Sequence, residues 1–289
     1  MDIRALIMGF AFSLMWSSAF ATGRVIVAHA PPLAALSLRF AISAVLAVAV
    51  ARALGQSWRL APAQWRGVAV FGLCQNALYL GLNFVALQRV EASLAAIIAS
   101  SMPLIVALLG WALRGERVAP LGALGLAAGF GGVALIMGGR LSGGADPLGV
   151  ALCVAGAAAL AWATLTVRAV TAGGNLLMVV GLQMGVGAAI LAVVSLATET
   201  ITITPGWPLT LAFGYQILVP GLAATLLWFA LIGRVGAVKA SAFHFLNPAF
   251  GVLIATALLS EAISLTDILG VAIAGAGILA VQMARMRGA

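Results

Sequence analysis

Charged side chains are scarce in this sequence. Only 8% of its 289 residues are Asp, Glu, Lys or Arg, whereas 64% are hydrophobic. In a soluble domain about a quarter of the residues are charged. A chain with so few charges cannot cover a water-facing surface. The sequence therefore excludes a soluble fold and predicts an integral membrane protein that has the lipid bilayer as its main partner.

Cysteine and acidic residues are also few. The two cysteines, Cys74 and Cys153, each lie inside an apolar run, where we predict that they pack and form neither a disulfide nor a metal site. All seven acidic residues fall at or near the ends of apolar runs. The sequence has no phosphate-binding loop, zinc motif or nucleophile motif, so we predict no cofactor, no metal and no enzymatic activity. A membrane-embedded lipid enzyme, the distant alternative, would need a cluster of His, Asp or Glu at the membrane interface.

What the sequence has in abundance is long apolar runs. A membrane-spanning helix needs about 20 apolar residues, and cutting the chain at prolines, glycines and charges gives ten such runs. The runs lack the alternation of barrel strands, so we predict an all-α fold with ten transmembrane helices. The predicted spans are Ala5–Ala28, Leu33–Ala53, Gly67–Leu87, Ala92–Leu113, Val118–Gly138, Leu148–Val167, Leu176–Ala197, Leu209–Ile232, Ala237–Leu259 and Ile263–Ala284.

The basic residues indicate how the spans are oriented. They occur singly in short connections, which is typical of membrane topology and not of nucleic-acid binding, despite the net charge of +8. With the N-terminus in the cytoplasm, eleven Lys and Arg residues lie on the cytoplasmic side and three on the other. We therefore predict that both termini are cytoplasmic. The three are Arg24, Arg89 and Arg140, and the eleven are Arg4, Arg52, Arg59, Arg66, Arg114, Arg117, Arg168, Arg234, Lys239, Arg285 and Arg287.

The second half of the chain repeats the first. Leu82–Ile136 aligns without a gap with Leu227–Val281, at a constant offset of 145 residues. Two apolar stretches match easily at Ala and Leu by chance, but not at Arg, Pro and Glu together. The matched pairs include Arg89 with Arg234, Pro103 with Pro248, and Glu116 with Glu261.

The repeat divides the chain into residues 1–142, with helices 1–5, and residues 143–289, with helices 6–10. Five spans per half is an odd number, so the second half is expected to be inverted in the membrane. Inverted repeats are common in secondary transporters, which bind their substrates near the bilayer midplane between the two repeats.

These motifs resemble those of the drug/metabolite transporter superfamily, specifically its EamA-type ten-helix branch, and within it the YddG-type amino-acid exporters. The resemblance implies that helices 1–4 and 6–9 surround a central cavity, with helices 5 and 10 outside. It also implies export of small metabolites across the bacterial inner membrane. The matching motifs are Trp16, Leu38-Arg39-Phe40, Phe84…Arg89-Val90…Ala92 and Pro103…Glu116, repeated as Trp162, Phe229…Arg234, Asn247-Pro248 and Glu261.

One face of the third span is polar. Gln75, Tyr79 and Asn83 are spaced four residues apart and share one helical face. Polar groups facing lipid are costly, so this face is expected to point inward. We predict that it lines the substrate cavity; interhelical hydrogen bonding is the alternative. Three tryptophans within spans, Trp16, Trp162 and Trp228, are predicted to wall the same cavity.

Two prolines interrupt equivalent spans. Pro103 and Pro248 each remove one hydrogen bond from a helix, which predicts a hinge with a freed carbonyl. Ser100, His244 and Asn247 lie beside these prolines and are predicted to face the cavity. The alternative is a kink whose free carbonyls are satisfied by nearby hydroxyls. A buried histidine is more often a hydrogen-bonded residue than a proton carrier, so proton coupling is not assigned to His244.

For two further features, a structural explanation is favoured over a role in transport. Arg39 lies within the second span, where it could hold a substrate carboxylate, but snorkelling to the surface or pairing with helix-end carbonyls is favoured. Small residues in the fifth and tenth spans are predicted to pack helices or protomers closely. They are Gly122, Gly125, Gly129, Gly132, Gly270, Ala274 and Gly277.

Together these features predict a secondary transporter that works by alternating access, as a monomer or homodimer. The expected substrates are amino acids or similar small metabolites, neutral or aromatic, with broad specificity. Nucleobases, sugars or drugs are the alternative cargo. No carboxylate lies mid-span, so we expect an uncharged cavity and transport that is downhill or weakly proton-linked.

Overall fold

In a computed structural model the chain forms a bundle of helices. The structure describes residues 3–115, 119–166, 175–235, 240 and 242–288, and no strand occurs among them. The helices are α1 (Ile3–Val27), α2 (Pro32–Ala53), α3 (Pro62–Ala86), α4 (Ala92–Ser100 and Met102–Arg114), α5 (Pro120–Ser142), α6 (Pro147–Thr166), α7 (Leu176–Thr198), α8 (Trp207–Val235), α9 (Ala242–Leu246 and Asn247–Leu259) and α10 (Leu265–Gly288).

The predicted all-α membrane fold is confirmed. Within the described ranges, nine helices are long and apolar enough to cross a membrane, and the apolar helix Phe243–Leu259 is shorter. This shorter helix corresponds to the ninth predicted span, of which residues 237–239 and 241 lie outside the described residues. The chain is therefore a multi-pass membrane protein.

Proline explains why several helices begin before the predicted spans. α2, α3 and α8 each carry a proline at the first or second helical position. Proline is favoured there because its fixed φ suits the first turn and its missing N–H has no partner to lose. The predicted third span starts at Gly67, directly after the charged Arg66, whereas α3 itself begins five residues earlier, at Pro62.

The most extensive helix contacts join α5 to α10 and α2 to α7, in each case a helix to its repeat counterpart. The α5–α10 contact is made through glycines. A methyl group added at Gly132 would lie 2.5 Å from the backbone nitrogen of Ala274, and one added at Gly125 would lie 2.8 Å from the Gly277 carbonyl. The two backbones therefore touch, and the predicted close packing of these helices is confirmed.

All five acidic residues in the described part of the chain lie at one end of the bundle, which we call the carboxylate end. They are Glu91, Asp146, Glu199, Glu261 and Asp267. Two of them bind helix N-termini. The Glu261 carboxylate accepts hydrogen bonds from the Ala92 and Ser93 N–H groups at the start of α4, at 2.7 and 3.0 Å. Glu199 does the same for Leu33 and Ala34 at the start of α2, at 2.9 Å each. Carboxylates at these positions are stabilised by the helix dipole.

Ion pairs connect further helices at the carboxylate end. Arg140, near the end of α5, donates two hydrogen bonds to Asp267 of α10, at 2.9 and 3.1 Å, and also binds Glu91 just before α4. Arg89 pairs with Asp146 at 3.1 Å. The Gly149 N–H and the Arg89 guanidinium hold the pKa of the Asp146 carboxyl below its usual range. Salt bridges therefore hold α4, α5 and α10 together at the carboxylate end.

Candidate functional site

A cavity lies inside the bundle, walled by α1, α2, α3, α7 and α8. Its free volume is about 40 Å³, which is room for a few water molecules. Cargo the size of an amino acid would therefore require the walls to move apart. The lining residues are Trp16, Ala19, Phe20, Arg39, Phe40, Gln75, Asn76, Tyr79, Leu80, Asn83, Phe84, Leu87, Met184, Pro220, Gly221 and Thr225. The resemblance implied eight cavity helices, but α4, α6 and α9 contribute none of these residues.

The cavity follows the symmetry of the repeats. The offset of 145 residues pairs lining residues of the first half with lining residues of the second. The pairs are Arg39 with Met184, Gln75 with Pro220, Asn76 with Gly221, and Leu80 with Thr225. Equivalent positions of both repeats therefore meet at one place, as expected for a site between two related halves.

Two stretches of π-helix form part of the wall. One is Gly72–Leu80 within α3, and the other is Ile217–Ala223 within α8, and their first residues are again 145 apart. π-helical turns are rare and occur often at functional sites. The wider turn brings Asn76 to the lining next to Gln75. Proline explains part of the second stretch, since Pro220 lies inside it and cannot donate a backbone hydrogen bond.

The three polar residues predicted from α3, Gln75, Tyr79 and Asn83, all line the cavity. Hydrogen bonds fix the amides on this helix. The Asn83 side-chain amide donates to the Tyr79 carbonyl at 2.7 Å, and the Asn76 amide donates to the Gln183 carbonyl of α7 at 2.9 Å. The second bond joins α3 to α7. Asn76 therefore makes the kind of interhelical hydrogen bond that was the alternative to cavity lining for the polar residues of this span.

Glycines let the neighbouring helices approach this wall. A methyl group added at Gly156 of α6 would lie 2.9 Å from the Asn83 side-chain nitrogen and 3.1 Å from the Tyr79 carbonyl. Gly187 of α7 lies in the same way against Asn76. α6 and α7 therefore pack closely against α3, on residues of its polar stretch.

The position of Arg39 corrects the favoured interpretation from the sequence. The side chain does not snorkel: it is 4% exposed and lines the cavity. Its guanidinium carbon lies 5.1 Å from the centre of the Phe40 ring. Among the described residues its Nε has no hydrogen-bond partner. The expectation of an uncharged cavity was therefore wrong, because the wall carries one positive charge.

Trp228 and His244 lie beside the cavity and not in its lining, which corrects their predicted position. The Trp228 ring stacks on Phe12 of α1 at 4.6 Å between centroids, and the His244 ring meets its edge at 5.1 Å. Phe12 also contacts Trp16, which does line the cavity, at 5.8 Å. Trp228 and His244 therefore contact the cavity wall only indirectly, through Phe12 and Trp16 of α1.

Three other predicted cavity residues also lie outside the lining. Trp162 is 52% exposed and faces outward from α6. Ser100 is buried within α4, where its hydroxyl donates to the Ala96 carbonyl at 2.6 Å. Asn247 is buried at the start of the longer α9 helix, and its backbone carbonyl accepts a hydrogen bond from Ser17 at 3.3 Å. All three belong to α4, α6 or α9, which do not reach this cavity.

The two predicted hinge prolines lie at helix breaks. Pro103 is in the first turn of the second α4 segment, and Pro248 is in the first turn of Asn247–Leu259, directly after the 3-10 turn of α9. Near Pro103 the Ser101 hydroxyl donates to the Ile98 carbonyl at 2.6 Å. This is not the carbonyl of Ala99, which Pro103 frees, so the alternative of hydroxyls that satisfy the freed carbonyl also stays a prediction. A hinge role for the two breaks remains a prediction.

Several lining residues were not singled out from the sequence, among them Phe20, Phe40, Met184, Gly221 and Thr225. For the last three, a signal was available. Extending the offset of 145 from Arg39, Asn76 and Leu80 leads directly to them. The two phenylalanines carry no such signal, because apolar residues fill every face of these helices.

A more polar pocket of about 340 Å³ opens at the carboxylate end, between the α1–α2 turn and the start of the α7–α8 connection. His29 and Glu199 line it, together with Thr200, Thr202 and Thr204. The connection is held across the turn by the Thr204 N–H, which donates to the His29 carbonyl at 2.8 Å. In the part of the chain that the structure describes, no cluster of three or more His, Cys, Asp or Glu could hold a metal ion.

Comparison with known proteins gives consistent matches along the chain. The model of the EamA-like transporter family matches twice, at residues 3–138 and 147–283. The uncharacterized transporter YvbV of Bacillus subtilis (strain 168) is 26% identical over 269 residues, which cover 92% of this chain and 87% of that protein.

A second relative and one solved structure agree with this match. The uncharacterized inner membrane transporter YedA of Escherichia coli (strain K12) is 28% identical over 264 residues, which cover 88% of this chain and 83% of that protein. A crystal structure of 22% sequence identity covers 100% of both chains with a TM-score of 0.67, a likeness that concerns the fold alone.

Proposed function

Because the chain belongs to the EamA-like transporter family, we propose that it exports amino acids, chiefly neutral and aromatic ones, by alternating access. The observation that carries this proposal is the cavity between the repeats. Its lining combines aromatic rings, neutral polar groups and one arginine, and none of its lining residues is acidic. Apolar and aromatic walls with a few polar groups are typical of sites for small molecules.

The absence of a carboxylate from this lining argues for the choice of cargo. A site for organic cations, sodium or protons within a membrane normally contains an acidic side chain. A zwitterion needs no such group, since its two charges compensate each other. Rings such as Trp16 and Phe40 would contact an apolar side chain of the cargo. Transport is then downhill or weakly proton-linked.

The proposed location is the bacterial inner membrane, with both termini in the cytoplasm. The excess of Lys and Arg at one end of the predicted spans supports this orientation. The relative YedA is itself named an inner membrane transporter. The carboxylate end would then face the periplasm, and the polar pocket at that end would receive the exported cargo.

Counterflow in proteoliposomes tests the cargo. Vesicles loaded with one unlabelled compound are diluted into the labelled form of the same compound, which is in turn phenylalanine, leucine, lysine, glutamate, a nucleobase or a sugar. We expect phenylalanine and leucine to accumulate transiently above equilibrium in proteoliposomes and not in protein-free vesicles. Accumulation of the nucleobase or the sugar without any amino acid would overturn the substrate assignment and leave the transporter fold in place.

A further inference from the structure

Arg39 is the only described arginine that lines the central cavity, and it differs from other arginines of the described chain in its partners. Arg89 and Arg140 have carboxylate partners, and Arg24 donates to the Leu87 and Val90 carbonyls. Arg39 is buried to 4% exposure, and its Nε has no hydrogen-bond partner in the part of the chain that the structure describes. Removing a charge from water without a hydrogen-bonding partner is costly. The ring of Phe40 compensates only part of this cost.

The backbone of α8 approaches Arg39 at a glycine. Gly221, in the π-helical part of α8, faces the guanidinium without a side chain: a methyl group there would lie 3.7 Å from a terminal nitrogen of Arg39 and 2.9 Å from the Gln216 carbonyl oxygen. It would also lie 3.5 Å from the Ser43 hydroxyl, which is one turn along α2, fully buried and likewise without a partner among the described residues. This wall therefore presents unsatisfied donors. A guanidinium binds planar anions, above all carboxylates, through two parallel hydrogen bonds.

The α3 side of the cavity offers a hydrogen-bond acceptor, whereas the α2 side offers donors. Asn83 is 1% exposed, and its amide nitrogen donates to the Tyr79 carbonyl. Its Oδ1 has no partner among the described residues. Because the nitrogen is already engaged and Gly156 packs against it, the oxygen is held as the free acceptor. An ammonium group, which has three donors and no acceptor, complements such an oxygen.

Resting on the amino-acid transport proposed above, we propose that Arg39 binds the carboxylate of the cargo and Asn83 binds its ammonium group. Arg39 on α2 and Asn83 on α3 both line the same cavity. The carboxylate and the ammonium group of an α-amino acid would therefore bind to two different helices. The side chain of the cargo is left to the aromatic and apolar part of the lining. This accounts for a site that is selective for the zwitterion and tolerant of the side chain.

The test compares three molecules that differ only in charged groups. They are phenylalanine, phenylalaninamide, which lacks the carboxylate, and 3-phenylpropionate, which lacks the ammonium group. Wild-type proteoliposomes should move phenylalanine fastest. In Arg39→Gln the phenylalanine rate should fall about tenfold or more, as expected for a lost charge-assisted interaction, whereas the phenylalaninamide rate is retained. In Asn83→Ala the 3-phenylpropionate rate should be retained instead.

Arg24→Gln is the matched control. It also removes a partly buried arginine, but one that is not itself in the cavity lining and that donates to the Leu87 and Val90 carbonyls. It should lower the yield of folded protein and leave the ratio of the three rates at the wild-type value. If Arg39→Gln slows all three molecules equally, Arg39 is structural and the proposed subsite is wrong, although amino-acid transport stands. If the wild-type protein moves no phenylalanine, the proposed function fails, and this assignment fails with it.

Arg39→Lys provides the same test if the glutamine variant does not fold. Lysine keeps the charge but loses the planar pair of donors. The half-saturation concentration should rise for phenylalanine and stay constant for phenylalaninamide. An equal change for both molecules, or none for either, would overturn the proposal.

Discussion

At the residue scale, the two tyrosines of the chain differ in their relation to the cavity. Tyr79 is fully buried in α3 and lines the cavity. Tyr215 of α8 lies outside the lining, and its hydroxyl shares a hydrogen bond with Ser18 of α1 at 2.8 Å. Replacing each by phenylalanine removes one hydroxyl and keeps the ring, so the pair separates a contact with cargo from a contact between helices.

We expect Tyr79→Phe to slow phenylalanine exchange about fivefold, since a hydrogen bond to cargo is worth about 1 kcal/mol. The unfolding temperature should stay near the wild-type value. Tyr215→Phe should lower the unfolding temperature, through the loss of about 1 kcal/mol between α1 and α8, and leave exchange unchanged. Counterflow and thermal unfolding of the purified variants measure both effects. Equal exchange rates in the two variants would remove the Tyr79 hydroxyl from the site.

Sequence reasoning at this scale succeeds for α3 and fails for Arg39, and the reason is physical. Gln75, Tyr79 and Asn83 recur every four residues, and a polar stripe on an otherwise apolar helix can face only inward. Arg39 is a single residue with a long flexible side chain. Its spacing does not indicate whether that side chain reaches the surface or turns into the bundle. Only the neighbours on α8 decide this, because Gly221 has no side chain and lets the guanidinium lie close to the α8 backbone.

At the scale of helices, the contact between α5 and α10 gives a prediction about stability. A methyl group at Gly132 would meet the Ala274 nitrogen at 2.5 Å and the Gly270 carbonyl at 2.7 Å, and backbone atoms cannot move aside alone. Gly132→Ala should therefore force the helices apart and cost about 1–3 kcal/mol. Thermal unfolding in detergent measures this loss.

The neighbouring glycine is the control. A methyl group at Gly131 would have nothing within 4 Å, and alanine favours the helix by up to about 1 kcal/mol. Gly131→Ala should therefore unfold at the wild-type temperature or above. If Gly132→Ala unfolded like Gly131→Ala and instead split a dimer, the glycine contact would join two protomers and not two helices of one chain.

Helix existence is predictable from this sequence, but helix type is not. Long apolar runs indicate spans because each must be about as long as the bilayer is thick. The π-helical stretches of α3 and α8 leave no mark on such runs, since a wider turn changes hydrogen bonding without changing composition. Pro220 could have signalled the second stretch, and the offset of 145 residues would then have pointed to the first.

At the scale of the whole molecule, the distribution of charge predicts orientation. Cys74 and Cys153 are both buried, so labelling of a single introduced cysteine by a thiol reagent shows whether that position is accessible. Ser142 is exposed at the carboxylate end and Ala63 is exposed at the opposite end. In intact cells, a membrane-impermeant maleimide should label Ser142→Cys, whereas Ala63→Cys should be labelled only after the membrane is opened. The reverse pattern would place the termini outside and invert the proposed direction of export.

The repeat also has a consequence for the speed of transport. Arg140 joins Glu91 and Asp267 at the carboxylate end, and Asp267 is 1% exposed, so separating it from Arg140 would leave a buried charge without its partner. At the other end, the offset of 145 places an arginine, Arg285, in the position of Arg140, but glycines, Gly236 and Gly122, in the positions of its two carboxylates. The repeat therefore does not supply the same pair of carboxylates there, and we expect the two ends to open with unequal activation energies. The bundle is expected to rest closed at the carboxylate end, so that Arg140, which touches no cargo, sets the turnover rate.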